Sequence, residues 1–487
     1  MTKVSTCCLA FDFGAGSGRA VLAHVRNGRM ELAEILRIPG AEVQLQDGPH
    51  WDMAALFAHV EQGLQVATSH AVQIASVGVD SWGLDYGLLD GTGHLLAQPR
   101  HYRHPGSQRG FAASPFDGEW LAQVTDAQVL PVNTVFQLLD DRATRPALLD
   151  RADRLLMIAD LVNHHLTGIA SNDLTLARTS GLHDWSQSRW SDAILTRAQI
   201  PARLFGPLTR PGTTLGPLRP DLARQSGLGP IPVISVAGHD TASAVCGLPL
   251  ESGEAFMIAG SWNLVGFEAV QPPAGFGPAG FGIEGGAEGR ALLIRSLDGL
   301  HLMRRLRDDL PDRPGFPQLA AMAQQALGDP PPPLEPADPG LAGTDGFVAA
   351  AAAQFRARGL TPVTDAGSLA LSLYLGLTDS AAMALQQIDR LRGQPATALR
   401  IGGGGAQDAF LCQLLAARLR IPVIAGPVEA SAAGNALFQL IGLGLVPSLT
   451  EARRIVARSG MTREYRPEPG LTNILKGAPC LPSNVSD

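Results

Sequence analysis

Apolar residues come in short runs broken by glycine, a pattern that predicts strands, tight turns and strand-to-helix crossovers. The run CLAFDF predicts a strand that ends near Asp12. The loop Gly14–Gly18 follows, then a second strand in RAVLAHV, the turn Asn27-Gly28 and a third strand in MELAEILRI. Asn-Gly between apolar runs is a strong hairpin signal. MAALFAHVEQGLQVA is amphipathic with helical spacing, and IASVGVDSWGLDYGLLD predicts a buried strand, a loop and a second strand turning at Asp90-Gly91. The stretch around 151–168 predicts a helix stopped by Gly168.

A second start lies at IPVISVAGHDTASAVCG, and EAFMIAGSWNLVGFEAV repeats the opening theme of strand, small-residue turn and strand. ALRIGGGGAQDAFLCQLLAARLRIPVIAG then reads as strand, glycine loop, helix and strand. Strands alternating with helices predict an α/β fold, and the two similar hairpins predict a duplicated domain. Pro-rich GDPPPPLEPADPG cannot be helix interior and predicts a surface loop.

A length of 487 residues suits two large domains. A net charge of −7 with no basic stripe argues against nucleic acid, and no run of 18 apolar residues suggests a membrane span. Five cysteines without a CxxC pair fit a reduced cytoplasm. Lysine usage excludes more. Of 38 basic side chains only Lys3 and Lys476 are lysines, which rules out a Walker A loop, a protein-kinase strand lysine and an internal Schiff-base lysine. HExxH and GxSxG are missing, the opening loop fails GxGxxG because Arg19 stands where its last glycine would be, and the adjacent His164 and His165 read as structural.

Three small-residue turns follow strands: Gly14–Gly18, Ala259–Ser261 and Gly402–Gly405. Such turns let successive N–H groups converge on phosphate oxygens. Asp12 and Asp240 stand as lone acids beside them. A carboxylate next to a polyphosphate is tolerable when a divalent cation bridges the two, so Asp12 is expected to face Mg²⁺. Arg19 fits either a phosphate-neutralising role or a surface strand position.

At these residues the chain resembles the FGGY carbohydrate kinases. DFGAGSGR resembles the family's first phosphate motif, GHDTASA its catalytic-aspartate motif, AGSW its second phosphate turn and GGGGAQ its adenosine motif. Within the family the likeness is strongest to the L-rhamnulokinases, through DSWGLDYGLLD, NTVFQLL, LLMIADLVNHHLTG, HDTASAV, WNLVGFE, EGGAEGR and AGPVEASAAGN; NHHLTG and AGHDT are also similar to L-fuculokinases. The resemblance implies two duplicated actin-like ATPase (ribonuclease H-like) domains, 1–241 for sugar and 242–487 for nucleotide, with a cleft between them. It implies ATP and Mg²⁺ as cofactors and a small sugar as substrate, and leaves oligomeric state open.

Carried over position by position, the resemblance makes Asp240 the general base. Gly83, His239, Asp240, Thr241 and Ser296 would contact the sugar. Ala15, Gly16, Ser17, Gly18, Arg19, Ser261, Arg304 and Gly405 would hold ATP, and Asp12 the metal. Blander readings keep His239 as a packed histidine, and Trp82 and Trp262 as core. Several positions depart from the family's pattern. Ser261 replaces a threonine, Ser296 a sugar-binding asparagine, Arg304 a nucleotide-binding glutamine and His104, after Arg103, an aspartate. These departures bear on the sugar more than on the reaction. Rival readings are a kinase of L-fuculose or another ketose, a nucleotide-switched binding or filament protein, and a degenerate kinase acting as a regulator.

Overall fold

The computed structural model describes residues 5–70, 73–126, 128–270, 281–343 and 346–477; Lys3 and Cys480 lie outside them. The chain forms two compact units, each discontinuous in sequence. The first takes residues 1–249, 268–293 and 430–459, and the second 250–267, 294–429 and 460–487.

The first unit is built on a six-stranded sheet ordered Thr214–Pro217, Pro232–Ile234, Ile74–Ser81, Ser5–Phe13, Ser17–Arg26 and Arg29–Pro39. Ser5–Phe13 is almost wholly buried, pairing antiparallel with Ser17–Arg26 and parallel with Ile74–Ser81. The Asn27-Gly28 turn has both residues at positive φ, 54° and 70°, as the tight hairpin demands. The amphipathic stretch is helix Met53–Ser69, with Asp52 capping it by accepting from Ala55 N–H.

The stretch expected to be one helix over 151–168 divides instead. Arg151 closes helix Pro146–Arg151, Arg154–Met157 is a strand paired antiparallel with Tyr86–Leu89, and Ile158–Thr167 is a second helix, ending at Gly168 with φ 75°. The pairing available to Leu155 and Leu156 overrides local helix propensity. His164 and His165 are held structurally, at 3.2 Å from the Gly93 carbonyl and 3.0 Å from Glu61.

In the second unit the order Trp262–Ala269, Ala255–Ala259, Leu399–Gly402, Val423–Ala425, Arg463–Tyr465 repeats the first unit's pairing sequence: antiparallel, parallel, parallel, antiparallel. Its central helix, Ala366–Arg392, is long and apolar enough to cross a membrane, but 83% of its most apolar window is buried inside the protein. The Pro-rich segment packs closely on this helix rather than lying free on the surface. Leu334 is buried, and a Cβ on Gly376 would lie 2.0 Å from the Leu334 carbonyl oxygen.

The discontinuity has a physical cause in the first unit. Glu268 accepts from Arg453 at 2.9 Å and from Arg290 at 2.9 Å, tying 268–293 and 430–459 together. Helix Ala430–Gly442 also crosses helix Asp240–Gly247 at glycines. A Cβ on Gly434 would lie 1.9 Å from the Ser243 carbonyl oxygen, and one on Gly247 2.0 Å from that of Ala430. A cut at 241/242 would fall inside helix Asp240–Gly247.

Candidate active site

Asp240 opens helix Asp240–Gly247 directly after His239, which forms an isolated parallel bridge to Ser81. The turn before it is pinned from below: Gly238 N–H donates to Asp173 at 3.2 Å and His239 N–H to Thr175 Oγ1 at 3.0 Å. Asp240 Oδ1 accepts from Thr241 N–H at 2.6 Å, and its side chain is 29% exposed. Burial pushes its carboxyl above the usual range, with His239 and the Thr241 donors pulling the other way. His239 lies between two acids, with Nε2 3.4 Å from Asp240 Oδ1 and Nδ1 3.3 Å from Glu284 Oε2. Burial also raises Glu284, opposed by His239 and reinforced by Asp240.

His239, Asp240 and Glu284 line a cavity of about 260 Å³ with Ala15, Trp82, Gly83, Tyr102, Asn133 and Arg178. Trp82 is both packed, at 7% exposure, and part of this lining. The wall at Gly83 is shaped by close approach, since a Cβ there would sit 2.7 Å from Thr179 Oγ1. Leu84 stands at φ 77°, held by Thr179 Oγ1 on its N–H and by Thr134 on its carbonyl. Asp85 ties this wall together, accepting from Trp51 and Trp82 indoles, Tyr102 N–H and the Gln137 amide. Burial pushes Asp85 up to about 7.

Asp12 ends its strand beside two charged neighbours. It pairs in register with Arg19 on one side, Nε to Oδ2 3.6 Å, and with Asp80 on the other. Arg19 is thus the carboxylate's partner rather than a lone surface arginine. Asp80 is fully buried; burial, Asp12 and Asp240 together push it well above the carboxylate range, and Asn435 donates to it at 2.7 Å. Behind it, Gln439 bonds Asn435 at 2.7 Å and Ser76 bonds Gln439 at 2.7 Å. Asp12 and Asp240 thus both bear electrostatically on the buried Asp80.

In the second unit two glycine turns meet. Gly403 has φ 79°, and a Cβ on Gly405 would lie 2.5 Å from that of Ala259. Helix Leu300–Asp309 starts on the same turn, with Leu300 N–H donating to Gly260 at 2.9 Å and His301 N–H to Ser261 at 3.3 Å. Ser261 is exposed there, as is Arg304 one helical turn past His301. Trp262, expected in the core, is 55% exposed, its ring 5.2 Å from His301. The turn projects the first residue of its strand outward. Ser296 is exposed on strand Ala291–Asp298, in the second unit, and is not among the residues lining the first unit's cavity.

Residues 7–247 match the model of the FGGY family of carbohydrate kinases, N-terminal domain, and residues 255–443 that of its C-terminal domain. The chain belongs to the FGGY family of carbohydrate kinases. A rhamnulokinase of Bacteroides thetaiotaomicron is 32% identical over 94% of this chain and 95% of that one. A rhamnulokinase of Yersinia pestis is 33% identical over 93% of each. In fold, the xylulose kinase from Lactobacillus acidophilus superposes with TM-score 0.78 at 16% identity, covering 97% of this chain and 96% of that one. Plasmodium falciparum glycerol kinase with ADP gives 0.74 at 12% identity, covering 96% of each. This FGGY chain is therefore an ATP-dependent sugar kinase with the actin-like fold, a phosphotransferase acting on an alcohol.

Several members of this candidate site were not singled out from sequence. Asp80, Glu284 and Asn435 sat inside DSWGLDYGLLD, EGGAEGR and AGPVEASAAGN, which supplied the signal without saying which residue mattered. Asp85 lies in the same segment as Asp80, whereas Arg178 carried no signal beyond residue type.

Proposed function

We propose that the chain phosphorylates L-rhamnulose to L-rhamnulose 1-phosphate using Mg-ATP, with Asp240 as general base. The observation that carries this reading is the Asp240 carboxylate, placed at a helix N-terminus on the wall of a sugar-sized cavity and held by Thr241. Asp240 accepts the sugar hydroxyl proton as that oxygen bonds to the γ-phosphorus and the bond to ADP breaks. Such help is worth ~10²–10⁴ in rate. His239, Thr241, Gly83 and Trp82 orient the sugar. Rhamnulokinase relatives matched over nearly the whole chain support the choice of sugar.

The acid cluster of Asp12 and Asp80 fits Mg²⁺, which prefers one or two carboxylates plus phosphate oxygens. When bound it offsets phosphate charge. Arg19 holds Asp12 in place, and the Gly14–Gly18 turn offers backbone and hydroxyl donors to ATP. Phosphoryl transfer is loose and mostly needs positioning and neutralised charge, so no lysine is required.

The test is ADP release from Mg-ATP across a panel of ketoses. L-rhamnulose should stimulate turnover most. Brisk turnover of L-fuculose or another ketose instead would make the named sugar wrong, and slow turnover indifferent to sugars would refute the kinase assignment for this chain.

A further inference from the structure

Arg178 differs from the other buried arginines of the first unit. Arg100 faces Asp47, Asp140 and Asp141, and Arg453 faces Glu268. Arg178 is 4% exposed yet makes no ion pair among the described residues. Its guanidinium carbon lies 3.7 Å from the Trp185 ring centroid, Nη1 donates to the Arg290 carbonyl at 3.3 Å, and the buried Nε has no partner. Burial pulls it down to about 10, with Asp173 only partly offsetting this. A buried charge without a counter-charge is costly, and its persistence points to an acceptor that arrives with a ligand.

EGGAEGR explains how the arginine gets there. Glu284 faces His239, while a Cβ on Gly285 would lie 2.4 Å from Arg178 Cδ, so glycine leaves the passage for its side chain. Arg290 supplies the carbonyl that holds Nη1. The cavity then offers Asp240 and Glu284 as acceptors and Arg178 as a multiple donor. An anionic ligand would meet two carboxylates, whereas a neutral polyol, whose hydroxyls both donate and accept, complements the mixture.

We propose that Arg178 is a specificity-determining residue that donates to oxygens of a neutral ketose in this cavity. The proposal rests on the sugar-kinase reading above and adds the residue that reads the substrate.

The test measures sugar KM and kcat by ADP release, and L-rhamnulose affinity by calorimetry without nucleotide, for wild type, Arg178→Met, Arg178→Lys and Gly285→Ala. Loss of a charged donor should raise KM and Kd roughly tenfold to hundredfold in Arg178→Met. Arg178→Lys should recover part of that, and Gly285→Ala, which displaces the arginine without removing it, should raise KM in the same direction. All three should keep kcat within about threefold, the pattern of lost uniform binding. Folding is checked by Tm; should Arg178→Met not fold, Arg178→Lys and Gly285→Ala decide. Folded variants with unchanged KM and Kd, or with lowered kcat at unchanged KM, would overturn the proposal. Wild type that binds L-rhamnulose but shows no sugar-stimulated ADP release would refute the kinase reading, while the calorimetric comparison would still decide Arg178.

Discussion

The first unit's cavity and the second unit's glycine turns are made of different material. In the first unit side chains do the work: Asp12, Asp80, Asp240, His239 and Glu284 are brought together from separate strands and a helix end, and their carboxyls shift one another. In the second unit the backbone does it, through turns so close that Gly405 and Ala259 leave no room for another carbon. A site built from side chains can be changed in its chemistry by one atom without disturbing its shape. A site built from backbone responds mainly to volume and φ.

Breaking each kind should therefore give different kinetics. Asp12→Ala should have the largest effect of those considered next, lowering kcat on the order of 10² by losing a carboxylate expected beside the metal. Turnover at saturating Mg²⁺ equal to wild type would remove Asp12 from that role. Gly403→Val forces a β-branched residue to φ 79° with its Cβ 2.8 Å from the Ala259 carbonyl oxygen. It should destabilise by about 2 kcal/mol or more and raise the KM for ATP while leaving sugar affinity alone. Thermal denaturation with both KM values checks this; a sugar-only effect would blur the contrast drawn here.

Asn435→Leu removes the donor to Asp80 and one of the two acceptors of the Gln439 amide, at a cost of about 1–3 kcal/mol. Denaturant unfolding measures it, and an unchanged midpoint would show that the chain from Ser76 to Asp80 contributes nothing. A pH profile sharpens the picture further. Asp240 is raised in the folded protein, so its carboxylate is lost at a higher pH than an ordinary aspartate, and kcat should fall on the acid side with a midpoint above ~4. Asp85 works on stability. Its folded value of about 7 exceeds the unfolded one, so its contribution is full in acid and is lost as pH rises toward 7. The slope of stability between these limits should flatten in Asp85→Asn. The smallest effect concerns Ser296. If that position touches sugar, Ser296→Asn lowers the KM for L-rhamnulose about threefold to tenfold; no change for any sugar would exclude it.

The same contrast governs what could be read from sequence. Glycines at Gly14–Gly18 and Gly402–Gly405 announce themselves, because a turn that needs positive φ or close approach restricts the residue type locally. The hairpins were equally legible from alternation and from Asn27-Gly28. Asp240 stood out through its motif. The partners that set its chemistry did not. Glu284 reaches His239 across 45 positions of chain, and Asn435 reaches Asp80 across 355, distances over which periodicity carries nothing. The helix expected over 151–168 failed for a related reason, since the strand Arg154–Met157 exists only because Tyr86–Leu89 is there to pair with it. Trp262 looked like core by composition, yet a turn geometry decided its exposure.

The central claim is that the carboxylate of Asp240 is the base for transfer to a sugar. Asp240→Asn is nearly isosteric and keeps the Thr241 contact surface, so it isolates the lost proton acceptor. The direct measurement is sugar-dependent ADP release by Asp240→Asn, with L-rhamnulose and ATP binding followed by calorimetry on the same sample. The account predicts that both ligands bind within about threefold of wild type while kcat falls ~10²–10⁴-fold. Turnover near the wild-type rate, with binding intact, would contradict it.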